Sequence, residues 1–112
     1  MSEQRILKIN NLLQREIGKI LQHELEFDNS LVTVSEVITS PTLEHTTVLI
    51  SVIPVGEAKN VLQKIKKEIY DIQQILNKRL VMRPIPKIRF EIDHSEEKAG
   101  RIEEILQKEG EK

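Results

Sequence analysis

The sequence predicts a single α+β domain in which a small three-stranded sheet packs on helices. Three observations carry that expectation. Apolar residues recur every three or four positions over the first 20 residues and again from about 57 to 80. Three short stretches alternate apolar and polar residues, and Pro, Gly or Asp-Asn-Ser clusters punctuate the chain between them. At 112 residues the chain can bury one core but not two, and with two Phe, one Tyr and no Trp that core must be Ile, Leu and Val.

The first helix places Ile6, Ile9, Leu13, Ile17 and Ile20 on one stripe, with Lys8, Arg15 and Lys19 together on the opposite side. Asp28-Asn29-Ser30 is the turn that ends it. Leu31 to Thr39 (LVTVSEVIT) is β-branched and reads as a strand, but its alternation breaks at Glu36, as at a bulge or an early end. After the Ser40-Pro41 turn, Thr46 to Ile53 alternates with Val48, Ile50 and Val52 on one face. A connection this short fits an antiparallel hairpin. Pro54 and Gly56 stop the second strand. From Glu57 to Leu80 the residues Val61, Ile65, Ile69, Ile72, Leu76 and Leu80 stay in helical phase, with no Gly or Pro between them. The prolines of Arg83-Pro84-Ile85-Pro86 favour an extended lead-in to a third strand, Lys87 to Asp93, with Ile88, Phe90 and Ile92 inward. Ser95 can cap a last helix with a narrow apolar edge of Ile102, Ile105 and Leu106. The domain is expected to span residues 1–108, with 109–112 a frayed tail.

Charge is the most informative feature for function. The chain carries a net charge of −1, yet residues 59–89 hold nine basic side chains against Glu68 and Asp71, a segment of +7. Residues 1–58 and 90–112 each carry −4. Lysines on an amphipathic helix are ordinarily a solvated face. Here the excess is one-signed and continues past the helix through Arg83, Lys87 and Arg89. This pattern points to one face that meets a polyanion. On the central helix, Lys59, Gln63, Lys66, Lys67, Tyr70, Gln73, Gln74, Asn77 and Lys78 fall opposite the apolar stripe, a set of donors suited to phosphate and sugar. The candidate nucleic-acid-binding residues are therefore Lys8, Arg15, Lys19, Lys59, Lys66, Lys67, Tyr70, Lys78, Arg79, Arg83, Lys87 and Arg89. Tyr70 either stacks on a base or covers neighbouring lysine stems.

Other chemistry finds no support in the residues. There is no Cys, no GxSxG and no phosphate-cradling glycine loop. His23, His45 and His94 fall on three predicted elements without metal-ligand spacing and read as surface residues, so neither catalysis nor a cofactor is expected. The N-terminus lacks a basic-then-apolar run, and no apolar stretch reaches the roughly 18–20 residues of a membrane span. A soluble cytoplasmic monomer is the resulting expectation. The reading from another class is a protein-interaction module whose basic face meets an acidic protein.

The α-β-β-α-β order matches the type II KH arrangement, an RNA-binding fold whose central helical segment is normally split, giving α-β-β-α-α-β. Its Gly-x-x-Gly clamp would fall around Lys66 to Asp71, where this chain has no glycine. A KH-like domain without the clamp, ending in RLVMRPIPKIRFEIDHSEEKAGRIEEIL, resembles the ribosome-binding factor A family of bacteria. The matching residues are Arg83, Pro86, Phe90, Asp93, Gly100, Arg101 and Ile102, preceded by an Arg-bearing first helix, VTVSEV, Ser40-Pro41-x-Leu43 and VLISV. The resemblance covers roughly residues 4–106. It implies a non-catalytic assembly factor that binds the immature small (30S) ribosomal subunit and its 16S rRNA and supports late maturation and 5′-end processing, above all in the cold. It also implies, as a further partner, an assembly GTPase that promotes release. The chain departs from the family pattern in three places: Ile69 and Tyr70 stand where a small residue usually kinks the central helices, Gln73 replaces an arginine, and Thr42 replaces an Asp. The unbroken apolar period accordingly predicts a straighter central helix than the family's.

Overall fold

The computed structural model describes residues 3–95. Their order is α1 (Glu3–Glu24), β1 (Leu31–Thr39), β2 (His45–Ile53), a 3-10 turn (Val55–Glu57), α2 (Ala58–Lys67), α3 (Ile69–Arg79) and β3 (Lys87–Ile92). The expected final helix after Ser95 and the expected frayed tail at 109–112 fall on residues 96–112, outside the described residues.

The sheet order is β1-β2-β3, with β1 antiparallel to β2 and β3 parallel to β2. A parallel pair cannot be closed by a tight turn, so the chain must cross over between β2 and β3. Helices α2 and α3 are that crossover, and together with α1 they cover one face of the sheet. On β1, Val34 pairs with Ile50 and Glu36 with Leu49, leaving Ser35 as the extra residue of a bulge. The break in alternation near Glu36 is thus a bulge, and the strand continues to Thr39.

The core forms where the three apolar patterns meet. Val34, Val37, Val48, Ile50, Val52, Ile88 and Phe90 of the sheet pack against Leu13, Ile17, Ile20 and Leu21 of α1 and Val61, Ile65, Ile72 and Leu76 of the crossover. Ile6 and Ile9 of the expected stripe are only half-buried, because α1 runs past the sheet there. Two polar residues sit inside, Thr39 and Thr46, and they satisfy each other. Their hydroxyls are 2.9 Å apart, and Thr39 Oγ1 donates to Asn10 Oδ1 at 2.5 Å.

The central helix is not continuous. It breaks at Glu68, whose backbone (φ −96°, ψ 6°) leaves the helical well, and whose N–H is shared between the carbonyls of Ile65 (3.0 Å) and Lys64 (3.3 Å). The break spares the apolar phase: Ile65 and Ile72, seven residues apart, are both buried. Hydrophobic periodicity alone cannot register such an interruption. It also falls within the Lys66–Asp71 window where a KH clamp would sit, so the architecture is the α+β, KH-like α-β-β-α-α-β order, without the glycines.

Gln73, expected on the solvated face, is instead half-buried against β3. Its Oε1 accepts the Ile88 N–H at 2.9 Å, and its Nε2 donates to the Pro86 carbonyl at 3.2 Å and to Asn77 Oδ1 at 3.1 Å. The amide acts as a surrogate strand residue on the free edge of β3. On the other outer strand, Gln14 Nε2 donates to the Val34 carbonyl at 3.1 Å. Leucine at position 73 is expected to destabilise the fold by about 1–3 kcal/mol, because it strands the Ile88 N–H and the Pro86 carbonyl. The exposed neighbour Gln74→Leu should change stability by less than about 0.5 kcal/mol. Urea unfolding of the two variants measures the difference, and equal midpoints would show that the clamp contributes nothing.

Candidate nucleic-acid interface

Because the apolar stripe of α2 and α3 is turned to the sheet, most of their polar side chains face water, Gln73 and Asn77 being half-buried exceptions. Lys59, Lys66, Lys67, Tyr70 and Lys78 are all exposed, Tyr70 at 71%. None of the four lysines takes part in an ion pair among the described residues. Lys66 and Lys67 lie in the last turn of α2 and Tyr70 in the first turn of α3, so the three flank the break at Glu68. Glu68 and Asp71 are exposed beside them but pair with none of these lysines among the described residues, so the lysines keep their positive potential for an external anion.

The basic segment does not form one face, however. Lys87 and Arg89 point outward from β3, away from the side that the helices cover, because Ile88 and Phe90 between them are buried. Strand alternation therefore divides the expected single surface into a helical side and a sheet side. Arg89 is also engaged on the sheet: its Nε donates to Thr47 Oγ1 at 3.1 Å, and its guanidinium lies 3.4 Å from Glu91.

Two more groups of candidates sit elsewhere. Arg79, with a side chain only 32% exposed, turns toward α1 and lies 3.6 Å from Glu16 and 3.9 Å from Glu24. Arg15 and Lys19 each lie 3.8 Å from the same Glu16. These three cations thus surround a carboxylate of their own chain, which lowers the potential that they offer to an outside anion. Lys64 is likewise occupied, donating to the Glu26 carbonyl with its ammonium 5.5 Å from the Phe27 ring centre. Lys8 and Arg83, 75 positions apart in sequence, line one cavity together with Arg5, which the sequence reading missed. Arg5 precedes Lys8 by three positions, and that spacing was the available signal. Arg83 donates to the carbonyls of Leu80 (3.0 Å) and Met82 (2.7 Å), holding residues 83–84 in a bend where an extended lead-in was expected.

His23, His45 and His94 are exposed on separate parts of the fold, and no group of three or more potential metal ligands occurs among the described residues. No described helix is long and apolar enough to cross a membrane.

The sequence profile of ribosome-binding factor A matches residues 5–106. The chain belongs to the ribosome-binding factor A family. Among similar curated relatives, that of Chlorobium phaeobacteroides is 36% identical over 107 residues, covering 91% of this chain and 90% of the relative. The ribosome-binding factor A of Akkermansia muciniphila is 32% identical over 100 residues (89% and 80%), and that of Opitutus terrae 28% over 103 residues (91% and 84%). The crystal structure of ribosome-binding factor A from Thermus thermophilus superposes with a TM-score of 0.71 at 21% identity, covering 80% of this chain and 97% of that one. A Thermus thermophilus homology model fitted into the cryo-EM map of a 30S complex matches with a TM-score of 0.67 at 22% identity, covering 76% and 91%.

Of the residues through which the chain resembles this family, Phe90 lies in the core and Asp93 organises the exit from β3. Asp93 Oδ2 accepts the Ser35 hydroxyl at 2.6 Å, reaching across the sheet to the β1 bulge. Its Oδ1 accepts the Ser95 hydroxyl at 2.5 Å and the Ser95 N–H at 2.9 Å. So Ser95, expected as a helix cap, is itself held by Asp93, and the partners it would cap lie outside the described residues. The hydrogen bond from Ser35, followed by those from Ser95, favours the carboxylate and lowers the Asp93 pKa to about 2 from an ordinary value of 3.8. The folded state thus binds fewer protons than the unfolded state between these values. The resulting stability is fully present above about pH 4 and is lost as pH falls toward 2. Asp93→Asn should flatten the pH dependence of the urea midpoint between pH 4 and 2. An unchanged slope would show that these hydrogen bonds do not hold the carboxylate.

Proposed function

We propose that this chain is a non-catalytic assembly factor that binds the small (30S) ribosomal subunit through its 16S rRNA, supporting late maturation and 5′-end processing. The single observation that carries the reading is the family match over residues 5–106, nearly the whole chain. The exposed, unpaired lysines of α2 and α3 are the surface that fits it. Lys59, Lys66, Lys67 and Lys78 would contact phosphates, with Tyr70 between them available to an unpaired base. Lys8 and Arg83 offer a further contact, Lys87 and Arg89 stand on the other side of the sheet with Arg89 beside Glu91, and Arg15, Lys19 and Arg79 contribute less because Glu16 and Glu24 accompany them. The chain works as a cytoplasmic monomer, and an assembly GTPase is a fitting partner for its release.

Sucrose-gradient cosedimentation tests the reading. The protein should travel with free small subunits and not with large subunits or assembled ribosomes; equal association with all particles would sink the proposal. If four lysines reach phosphates, log K should fall against log[salt] with a slope of about −3. The double variant Lys66→Glu/Lys67→Glu should weaken subunit binding at least about tenfold and flatten that slope. Binding that survives both nuclease treatment and this charge reversal would instead assign the basic face to an acidic protein.

A further inference from the structure

The cavity that Lys8 and Arg83 share has a composition of its own. It measures about 240 Å³ and opens where the first turns of α1 meet the 40–45 turn and the loop after α3. Its rim carries Arg5, Lys8 and Arg83, its walls are apolar side chains such as Leu12 and Met82, and no carboxylate lines it. Its floor is Leu43, only 5% exposed yet outside the continuous core.

Leu43 is held there at some cost. Its φ is +62°, a left-handed conformation that leucine seldom adopts and that glycine or asparagine would take more readily. The surrounding turn over-determines that geometry. The Leu43 N–H donates to the Ser40 carbonyl at 2.9 Å, and Ser40 Oγ accepts the N–H groups of Glu44 and His45 at 3.1 Å each. Such strain persists where surrounding structure imposes it, and it clusters at ligand-binding sites. Here it delivers an apolar floor beneath a cationic rim.

We infer that this cavity binds one unstacked base of single-stranded RNA, with the adjoining phosphate on Lys8 and Arg83. The inference rests on the RNA-binding reading above and adds a base-reading site to it. An apolar floor with cations and no carboxylate complements a nucleotide, which is flat and apolar on one part and anionic on the other. The volume lies below the roughly 300–1,000 Å³ of pockets for larger small molecules and suits a single base. The site is also distinct from the helix break at Glu68. That break packs beside Glu24 and Leu25 at the C-terminal end of α1, whereas the cavity takes in Lys8 near its N-terminal end. Arg83 is suited to the task because the two carbonyls it bonds fix its guanidinium at the rim, while its other N–H groups have no protein partner among the described residues.

The test compares a fluorescein-labelled ten-nucleotide single-stranded RNA with an abasic strand of the same length and charge, by fluorescence anisotropy on the full chain. The wild-type protein should prefer the base-bearing strand about fivefold to tenfold. Leu43→Asn keeps the left-handed turn while removing the apolar floor, and Met82→Arg fills the cavity while adding positive charge. Each should bind the abasic strand at least as well as wild type, with the preference reduced below twofold. Discrimination that persists in both variants would place base reading elsewhere and overturn the inference. Equal wild-type binding of both strands, in a protein that still cosediments with free small subunits, would overturn the pocket and leave the assembly role standing. Failure to bind either strand or the subunits would overturn both.

Discussion

The parallel pairing of β3 with β2 is the constraint on which the rest of this molecule depends. It obliges residues 54–86 to leave the end of one strand and return to the start of another on the same sheet. A helical crossover satisfies that demand only if its apolar stripe covers the sheet, and burying Val61, Ile65, Ile72 and Leu76 forces the intervening lysines and Tyr70 outward. The exposed cationic side is therefore a consequence of how the sheet is closed. The break at Glu68 belongs to the same solution. It divides the crossover into two shorter helices that each lay buried residues on the core, without disturbing the phase between them.

A three-stranded sheet has two free edges, and this chain covers both outer strands with single side chains. Gln73 presents an amide to β3 and Gln14 to β1, each supplying hydrogen bonds that a fourth strand would otherwise make. The departure from arginine at position 73 thus has a structural role here: a guanidinium has no acceptor atom and could not receive the Ile88 N–H. Asp93 plays a comparable part at the end of β3, where it ties the exit of the chain to the bulge on β1. Short polar contacts between distant segments hold this small sheet in register once the core has formed.

Charge in this protein is sorted by pairing as much as by position. Glu16 and Glu24 attract Arg15, Lys19 and Arg79, and Lys64 is absorbed by the loop after α1. Among the described residues, the cations in no ion pair are a narrower set than the sequence total of +7 implies: the outer lysines of α2 and α3, Lys87 on β3, and Lys8 and Arg83 at the Leu43 cavity. Such a surface suits the proposed binding to the small subunit, since phosphate contacts are strong at close range and readily exchanged for salt.

The first helix, the three strands, most of the inward residues and the charge polarity of the chain were legible in the residue pattern. Periodicity reports which side of a helix or strand must leave water, and Ile65, Ile72, Val48 and Phe90 stand where that pattern requires. The family was legible too, in the order of Ser40-Pro41-x-Leu43, Arg83, Phe90 and Asp93. Tertiary structure alone decided that the helix breaks at Glu68, because a one-residue interruption that keeps the phase leaves no periodic trace. It likewise decided that Gln73 serves β3, that Arg79 serves α1, and that Lys87 and Arg89 face away from the helical lysines. It brought Lys8, Leu43 and Arg83 around one cavity. Each of these is a relation between segments distant along the chain, and local pattern carries no information about which partner a polar side chain will meet once the core has closed.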